Sequence, residues 1–190
     1  ADGVTMEVLA NPVGIISTTG WGAGDTLNGW AFSDIISGNG GADVIDAKAG
    51  DDTLIGGDGN DTVKGGVGSD TYVWTRRDDS DLIDDSGQSR TETDTLVLTD
   101  VQSPTDVSLK RMQGSNDLLV SINGSTAVIT INNRFASVSG EVSGYGIEKI
   151  VFADGTEWTL DEILAHTNLT GTSAADALTG TVYADNIQGG

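Results

Sequence analysis

Apolar residues fall along this chain in two rhythms. In the first, one recurs at every ninth position, as Leu27, Ile36, Ile45, Leu54, Val63 and Tyr72. An aspartate stands two residues before each, at Asp25, Asp34, Asp43, Asp52, Asp61 and Asp70. Glycine opens five of these repeats, at Gly20, Gly29, Gly38, Gly56 and Gly65, and Ala47 takes the remaining opening place. A fixed short period marks a solenoid built from stacked, near-identical units. Within each unit the apolar residue predicts a strand of about three residues with that side chain facing inward, and the glycines predict turns. Two windows, 56–64 and 65–73, satisfy every position of the pattern G-G-x-G-x-D-x-U-x, where U is apolar.

After Tyr72 the rhythm changes. Asp81 still precedes Ile83 by two and Asp94 precedes Leu96 by two, but the ninefold spacing is lost. From there to about residue 165 polar and apolar residues alternate, notably in Asp-Leu-Leu-Val-Ser-Ile (117–122) and Thr-Ala-Val-Ile-Thr-Ile (126–131), which predicts antiparallel strands. Asn123-Gly124 between them predicts a hairpin with a tight primed turn. Asp154-Gly155 predicts a second hairpin, joining 147–152 to a strand around Trp158. Thr159-Leu-Asp-Glu162 reads as a capping box opening a short helix that ends near His166.

At Gly171 the nonapeptides restart, with Asp176 and Leu178 in one and Asp185 and Ile187 in the next. Asp176 and Asp185 lie 151 residues after Asp25 and Asp34, and Ala1-Asp2-Gly3 recurs 152 residues later as Ala153-Asp154-Gly155. This pattern reads as one unit followed by the opening of another. The expected fold is all-β: a parallel β-roll capped by a small, mostly antiparallel β domain with one short helix. The expected boundaries are 1–19 for a linker or the end of a preceding unit, 20–85 for the roll, 86–166 for the cap and 167–190 for the start of a second block.

Charge narrows the partners. The 190 residues hold 29 Asp and Glu against 9 Lys and Arg, a net charge of −20. So acidic a surface, with its basic residues scattered, repels phosphate backbones and anionic lipid heads, which argues against nucleic acid and membrane binding. The absence of cysteine excludes disulfides, thiolate metal sites and a cysteine nucleophile, and the single histidine, His166, excludes a histidine-rich metal site. No apolar run approaches the roughly 20 residues of a membrane span, and residues 1–10 lack the basic start and apolar core of a signal peptide. The chain reads as an excerpt of a longer protein.

A hard, oxygen-ligated cation remains as the natural partner. Two nonapeptides make one coil of the solenoid, so Asp25, Asp43 and Asp61 stack on one edge and Asp34, Asp52 and Asp70 on the other. Strands in adjacent coils lie about 4.8 Å apart, and carboxylates at that separation repel by on the order of 1 kcal/mol per pair even in water. A cation between them reverses the sign. Calcium fits this setting, because it accepts six to eight oxygens in loose geometry, carboxylates and backbone carbonyls together, where magnesium demands a stricter octahedron.

Residues 20–73 resemble the repeats-in-toxin (RTX) calcium-binding β-roll, and 171–190 resemble the start of another. The segment from Asp81 through Asp84-Asp85, 94–98, 117–120 and 147–158 resembles the region that follows such blocks in haemolysin-type proteins. The resemblance implies Ca2+ sites in which one turn gives the carbonyls of its second and fourth residues plus its Asp. The turn 18 residues later gives the carbonyls of its first and third residues plus its own Asp. One site would then use Asn39, Gly41, Asp43, Gly56, Asp58 and Asp61, and the next Lys48, Gly50, Asp52, Gly65, Val67 and Asp70. A third would combine Gly57, Gly59 and Asp61 with Arg76, Asp78 and Asp81, although 74–80 lacks glycine and has two extra residues. Trp21, Ala23, Trp30 and Phe32 replace glycine in the first two turns, so those coil edges read as a hydrophobic cap rather than calcium sites.

Other candidates carry less. A carboxylate pair for glycoside hydrolysis lacks a pocket-forming architecture around it. His166 reads as a charge partner for a helix C-terminus. Asn123-Gly-Ser and Asn168-Leu-Thr match glycosylation acceptors as frequent chance triplets do. Trp74 and Trp158 read as core between roll and cap rather than as sugar platforms. The resulting expectation is a non-enzymatic structural module that folds on meeting extracellular calcium, part of a type I-secreted bacterial RTX protein, toxin or adhesin. Its expected partners are calcium ions, neighbouring repeat units and an unidentified cell-surface or glycan ligand. The rival reading is a carbohydrate-binding accessory module of an extracellular enzyme, for which the missing basic stripe leaves a neutral glycan as ligand.

Overall fold

The computed structural model describes residues 5–7, 16–85, 91–112, 114–138, 141–142, 146–171 and 186–189. The nonapeptides form short parallel strands that alternate between two sheets. On one face stand β1 (Thr5–Glu7), β3 (Thr26–Asn28), β5 (Val44–Ala49), β7 (Thr62–Val67) and β9 (Leu82–Ile83). The other face holds β2 (Ile16–Thr19), β4 (Asp34–Gly40), β6 (Thr53–Asp58), β8 (Thr71–Trp74) and β10 (Thr95–Leu98). Registers such as Ile45↔Val63 and Ile36↔Leu54 step by 18 residues, so each pair of nonapeptides closes one coil. The inward residues predicted from the period, Leu27 through Tyr72, are all buried.

The cap begins without a break in either sheet. It comprises β11 (Val107–Met112), β12 (Leu118–Ile122), β13 (Val128–Ile131), β14 (Ser137–Val138), β15 (Glu141–Val142), β16 (Lys149–Phe152), β17 (Glu157–Trp158), α1 (Leu160–His166) and β18 (Thr167–Thr170). One sheet runs β1-β3-β5-β7-β9-β13-β12-β11-β18-β19, where β19 is Asn186–Gln188, and the other β17-β16-β10-β8-β6-β4-β2. The hairpins of the cap are antiparallel, as expected. Its junctions with the roll, β9 with β13 and β8 with β10, are parallel, and one apolar cluster runs from Leu27 to Leu164. The roll therefore continues through Leu96 and Leu98 into the segment assigned to the cap.

Two local expectations are met and one is revised. Gly155 (φ 85°) turns the hairpin of β16 and β17, and Thr159 and Glu162 make both halves of the capping box. At Asn123-Gly124 only Gly124 has a positive φ (83°), so the turn is not the primed type, and strand pairing resumes only at Ser121↔Val128. The cause is a competing set of bonds. The Asn123 N–H donates to the Asp106 carbonyl (2.8 Å), its side chain to the Thr105 carbonyl, and its own carbonyl accepts from Arg76.

β18 and β19 pair in parallel with Leu169 opposite Ile187, the same 18-residue step as Thr18 opposite Ile36 in β2 and β4. Positions 169 and 187 lie 151 residues after 18 and 36, the offset read from the sequence. Asp176, Leu178 and Asp185 lie outside the described residues, as do Ala1, Asp2 and Gly3.

Candidate metal centre

Both aspartate columns are buried, each Asp from Asp25 to Asp70 being at most 3% exposed. On one edge the Asp25 N–H donates to Asp43 Oδ1 (2.6 Å), the Asp43 N–H to Asp61 Oδ1 (2.8 Å) and the Asp61 N–H to Asp81 Oδ1 (2.9 Å). On the other the sequence is Asp34 to Asp52 (2.6 Å), Asp52 to Asp70 (2.9 Å), Asp70 to Asp94 (2.8 Å) and Asp94 to Glu148 Oε2 (3.0 Å). From Asp43 on one edge and Asp52 on the other, each rung thus uses one carboxylate oxygen to hold the coil before it.

The second oxygen separates two kinds of turn. In the first two turns it accepts a local amide, Trp21 N–H for Asp25 (2.6 Å) and Trp30 N–H for Asp34 (2.7 Å). In the next four, Oδ2 of Asp43, Asp52, Asp61 and Asp70 is buried without a donor. The difference lies in the backbone. Asn39 and Gly41, Lys48 and Gly50, Gly57 and Gly59, and Gly66 and Gly68 all have positive φ, between 69° and 133°, whereas the non-glycine residues of the first two turns do not. A left-handed residue at the second place turns its amide away from the carboxylate and leaves the oxygen open. In these two turns, expected to form a hydrophobic cap, Trp21 is 70% and Phe32 48% exposed.

Glycine at the first place has another reason. A Cβ at Gly38, Gly56 or Gly65 would collide with Oδ2 of Asp43, Asp61 or Asp70. The open oxygen points into the space that this glycine keeps clear.

A buried carboxylate oxygen with no donor is costly unless a proton or a cation covers it. Burial, opposed in part by the amide from the preceding coil and reinforced by neighbouring aspartates, pushes Asp52 and Asp70 up to about 7 and Asp61 to about 6. Asp43 is raised for the same reasons. The donor set is oxygen only, anionic and dry, and it fits a hard divalent cation.

The expected site residues are placed as follows. Asn39 lies opposite Gly57 and Lys48 opposite Gly66 in the ladders, which brings together the turns holding Asn39, Gly41, Asp43, Gly56, Asp58 and Asp61, and those holding Lys48, Gly50, Asp52, Gly65, Val67 and Asp70. The carbonyls of Asp58 and Val67 each accept one amide, from Gly41 and Gly50 (2.8 Å each), and keep a second lone pair. In the third group Asp61 and Asp81 meet, but the loop differs. Both Asp78 oxygens bond back to Thr75 (2.7 and 2.8 Å), while the Arg76 side chain reaches Asp106 (3.4 Å) and the Asn123 carbonyl.

The periodicity gave no role to Asp85, Asp94 or Glu148. The structure sets Asp94 as the next rung above Asp70 and Glu148 as the last, and Arg134, fully buried, lies 4.0 Å from Glu148. Asp85 stands beside them, its Oδ1 accepting from the Tyr72 hydroxyl (3.2 Å). Trp74 and Trp158 are buried, and Trp158 stacks on His166 at 4.5 Å, so neither offers a free face to a sugar.

Residues 19–54 and 37–72 match the family described as RTX calcium-binding nonapeptide repeat (4 copies), and residues 117–162 match the haemolysin-type calcium binding protein related domain. Among solved structures, the AlgE6R3 subunit from the Azotobacter vinelandii mannuronan C5-epimerase is similar over 74% of this chain and 93% of that one, at 22% sequence identity and a TM-score of 0.46. No curated protein matches.

Proposed function

We propose that this chain, which carries RTX haemolysin-type calcium-binding repeats, is a structural module whose roll closes when Ca2+ enters the turns. The observation that carries this is that, among the six repeat aspartates, a buried Oδ2 without a donor occurs in the four turns whose second and fourth residues are left-handed and not in the first two, where an amide answers it. Asp43 with Asp61, and Asp52 with Asp70, would hold the ions together with carbonyls of Asn39, Gly41, Gly56 and Asp58, and of Lys48, Gly50, Gly65 and Val67. Asp61 and Asp81, with Gly57, Gly59 and the 76–78 turn, form a weaker third position. The ion supplies positive charge between stacked carboxylates; the chain supplies the inward apolar residues that close once repulsion is cancelled.

The wider setting extends this reading. The repeats suit a bacterial protein that crosses to the outside unfolded, through type I secretion, because low cytosolic calcium leaves a charge of −20 expanded and external calcium then triggers folding. The module serves a larger toxin or adhesin without catalysis of its own, and the shared 151-residue offset of β18 and β19 supports tandem units. Among the described residues no helix is long and apolar enough to cross a membrane.

Far-UV circular dichroism tests the core of the proposal. In EDTA the roll should lose its strand signal, and millimolar Ca2+ should restore it with a midpoint of about 10⁻⁴ to 10⁻³ M, sharpened by coupling between coils, while Mg2+ at the same concentration does not. A spectrum indifferent to calcium would refute it.

A further inference from the structure

We infer that Asp70, Asp85 and Asp94 form an additional divalent-cation site at the end of the roll, one whose protein charge comes from three side chains rather than two. The register fixes the place. β7 pairs with β9 through Thr62↔Leu82 and Val63↔Ile83, so Asp85 falls where the coil before it has Gly65. In three of the four open-oxygen turns that first place is glycine, where a Cβ would collide with the open oxygen of the turn aspartate, and in the fourth it is the small Ala47. The last coil instead puts a carboxylate into this space.

The result is a closed acidic pocket. One oxygen from each of Asp70, Asp85 and Asp94 lies within 4.8 Å of the others, and the residues are 1%, 2% and 2% exposed. Their first oxygens are engaged, by the Asp52 N–H, the Tyr72 hydroxyl and the Asp70 N–H. Oδ2 of Asp70 and Oδ2 of Asp85 are buried with no donor, and these unanswered acceptors point to a ligand that the acidic residues alone would not establish. Glu148, which accepts the Asp94 N–H, lies 4.0 Å from Arg134. A cation of about calcium size, taking oxygens only, satisfies the three acids together and ends the column that begins at Asp34. This inference borrows from the proposed function the closed roll and shares Asp70 with the Asp52–Asp70 turn; its ligand Asp85 belongs to no nonapeptide.

Asp85→Gly is a diagnostic substitution, since it restores the residue the repeat prescribes. Ca2+ bound per folded chain is counted by equilibrium dialysis, and Tb3+ emission is excited through the aromatic residues, with Tyr72 hydrogen-bonded to the site. Asp85→Gly and the isosteric Asp85→Asn should each lose one ion per chain and part of the sensitised emission, while calcium-dependent folding by circular dichroism persists. Unchanged stoichiometry in both variants would overturn the inference and leave protons as the agents that cover these acids. The two readings separate cleanly. Calcium-dependent folding with an unchanged count sinks only this site; an ion lost with Asp85 from a chain whose turns bind none sinks only the turn sites.

Discussion

At the scale of single residues, Asp43, Asp52, Asp61 and Asp70 each do two jobs with their two oxygens: one receives the amide of the coil before, the other stays open. Asp61 belongs to this class and stands between Asp43 and Asp81 in its column. Asp25 differs, because the Trp21 amide occupies its Oδ2. Replacing Asp61 with Ala should therefore raise the calcium midpoint for folding about tenfold or more, the equivalent of about 1.4 kcal/mol for one lost charged ligand. Asp25→Ala removes the same formal charge and should move the midpoint less than about threefold. Calcium titrations of both variants followed by tryptophan fluorescence decide it, and equal midpoints would detach the aspartate columns from metal binding.

At the scale of elements, the nine-residue period made the roll legible from Leu27 to Tyr72, because every coil contact there is separated by the same 18 residues. The continuation was not legible for a physical reason. The rung-to-rung hydrogen bond lengthens in sequence from 18 to 20 at Asp81, to 24 at Asp94 and to 54 at Glu148, as loops and whole hairpins are inserted between coils. Local pattern cannot carry such distances, so Asp94 kept the Asp-x-apolar spacing without a place in a column, and Asp85 and Glu148 looked like ordinary loop or strand acids. The hairpin at Asp154-Gly155 and the capping box at Thr159 were legible because both are made by neighbours in sequence. Asn123-Gly124 misled because its amide answers to Asp106. The last rung also carries its own protein cation. Arg134→Met should cost about 3 kcal/mol in urea unfolding at saturating calcium, since it leaves the half-buried Glu148 facing Asp94 uncompensated; adding Glu148→Gln should recover a large part. No cost in the single variant would mean that Arg134 acts through packing alone.

At the scale of the whole molecule, the columns make the response to pH depend on whether metal is present. Without metal, burial holds Asp61 and Asp94 near 6, Asp52, Asp70 and Asp81 near 7 and Asp85 near 8, against 3.8 for an ordinary aspartate. Carboxylates raised in the folded state take up protons on folding. Their contribution to stability is complete below about pH 4 and is lost as the pH rises through about 6 to 8. The metal-free chain should therefore gain strand signal as the pH is lowered from 8 toward 5, with protons doing weakly at each rung what an ion does strongly. The calcium-loaded chain should respond in the opposite direction, because protons displace the ion from the same oxygens and its calcium midpoint rises over that range. Circular dichroism across pH 5–8, once in EDTA and once near the calcium midpoint, gives two slopes of opposite sign if both protons and calcium act on the buried columns. Slopes of the same sign would place the calcium that folds this chain somewhere other than between its aspartates.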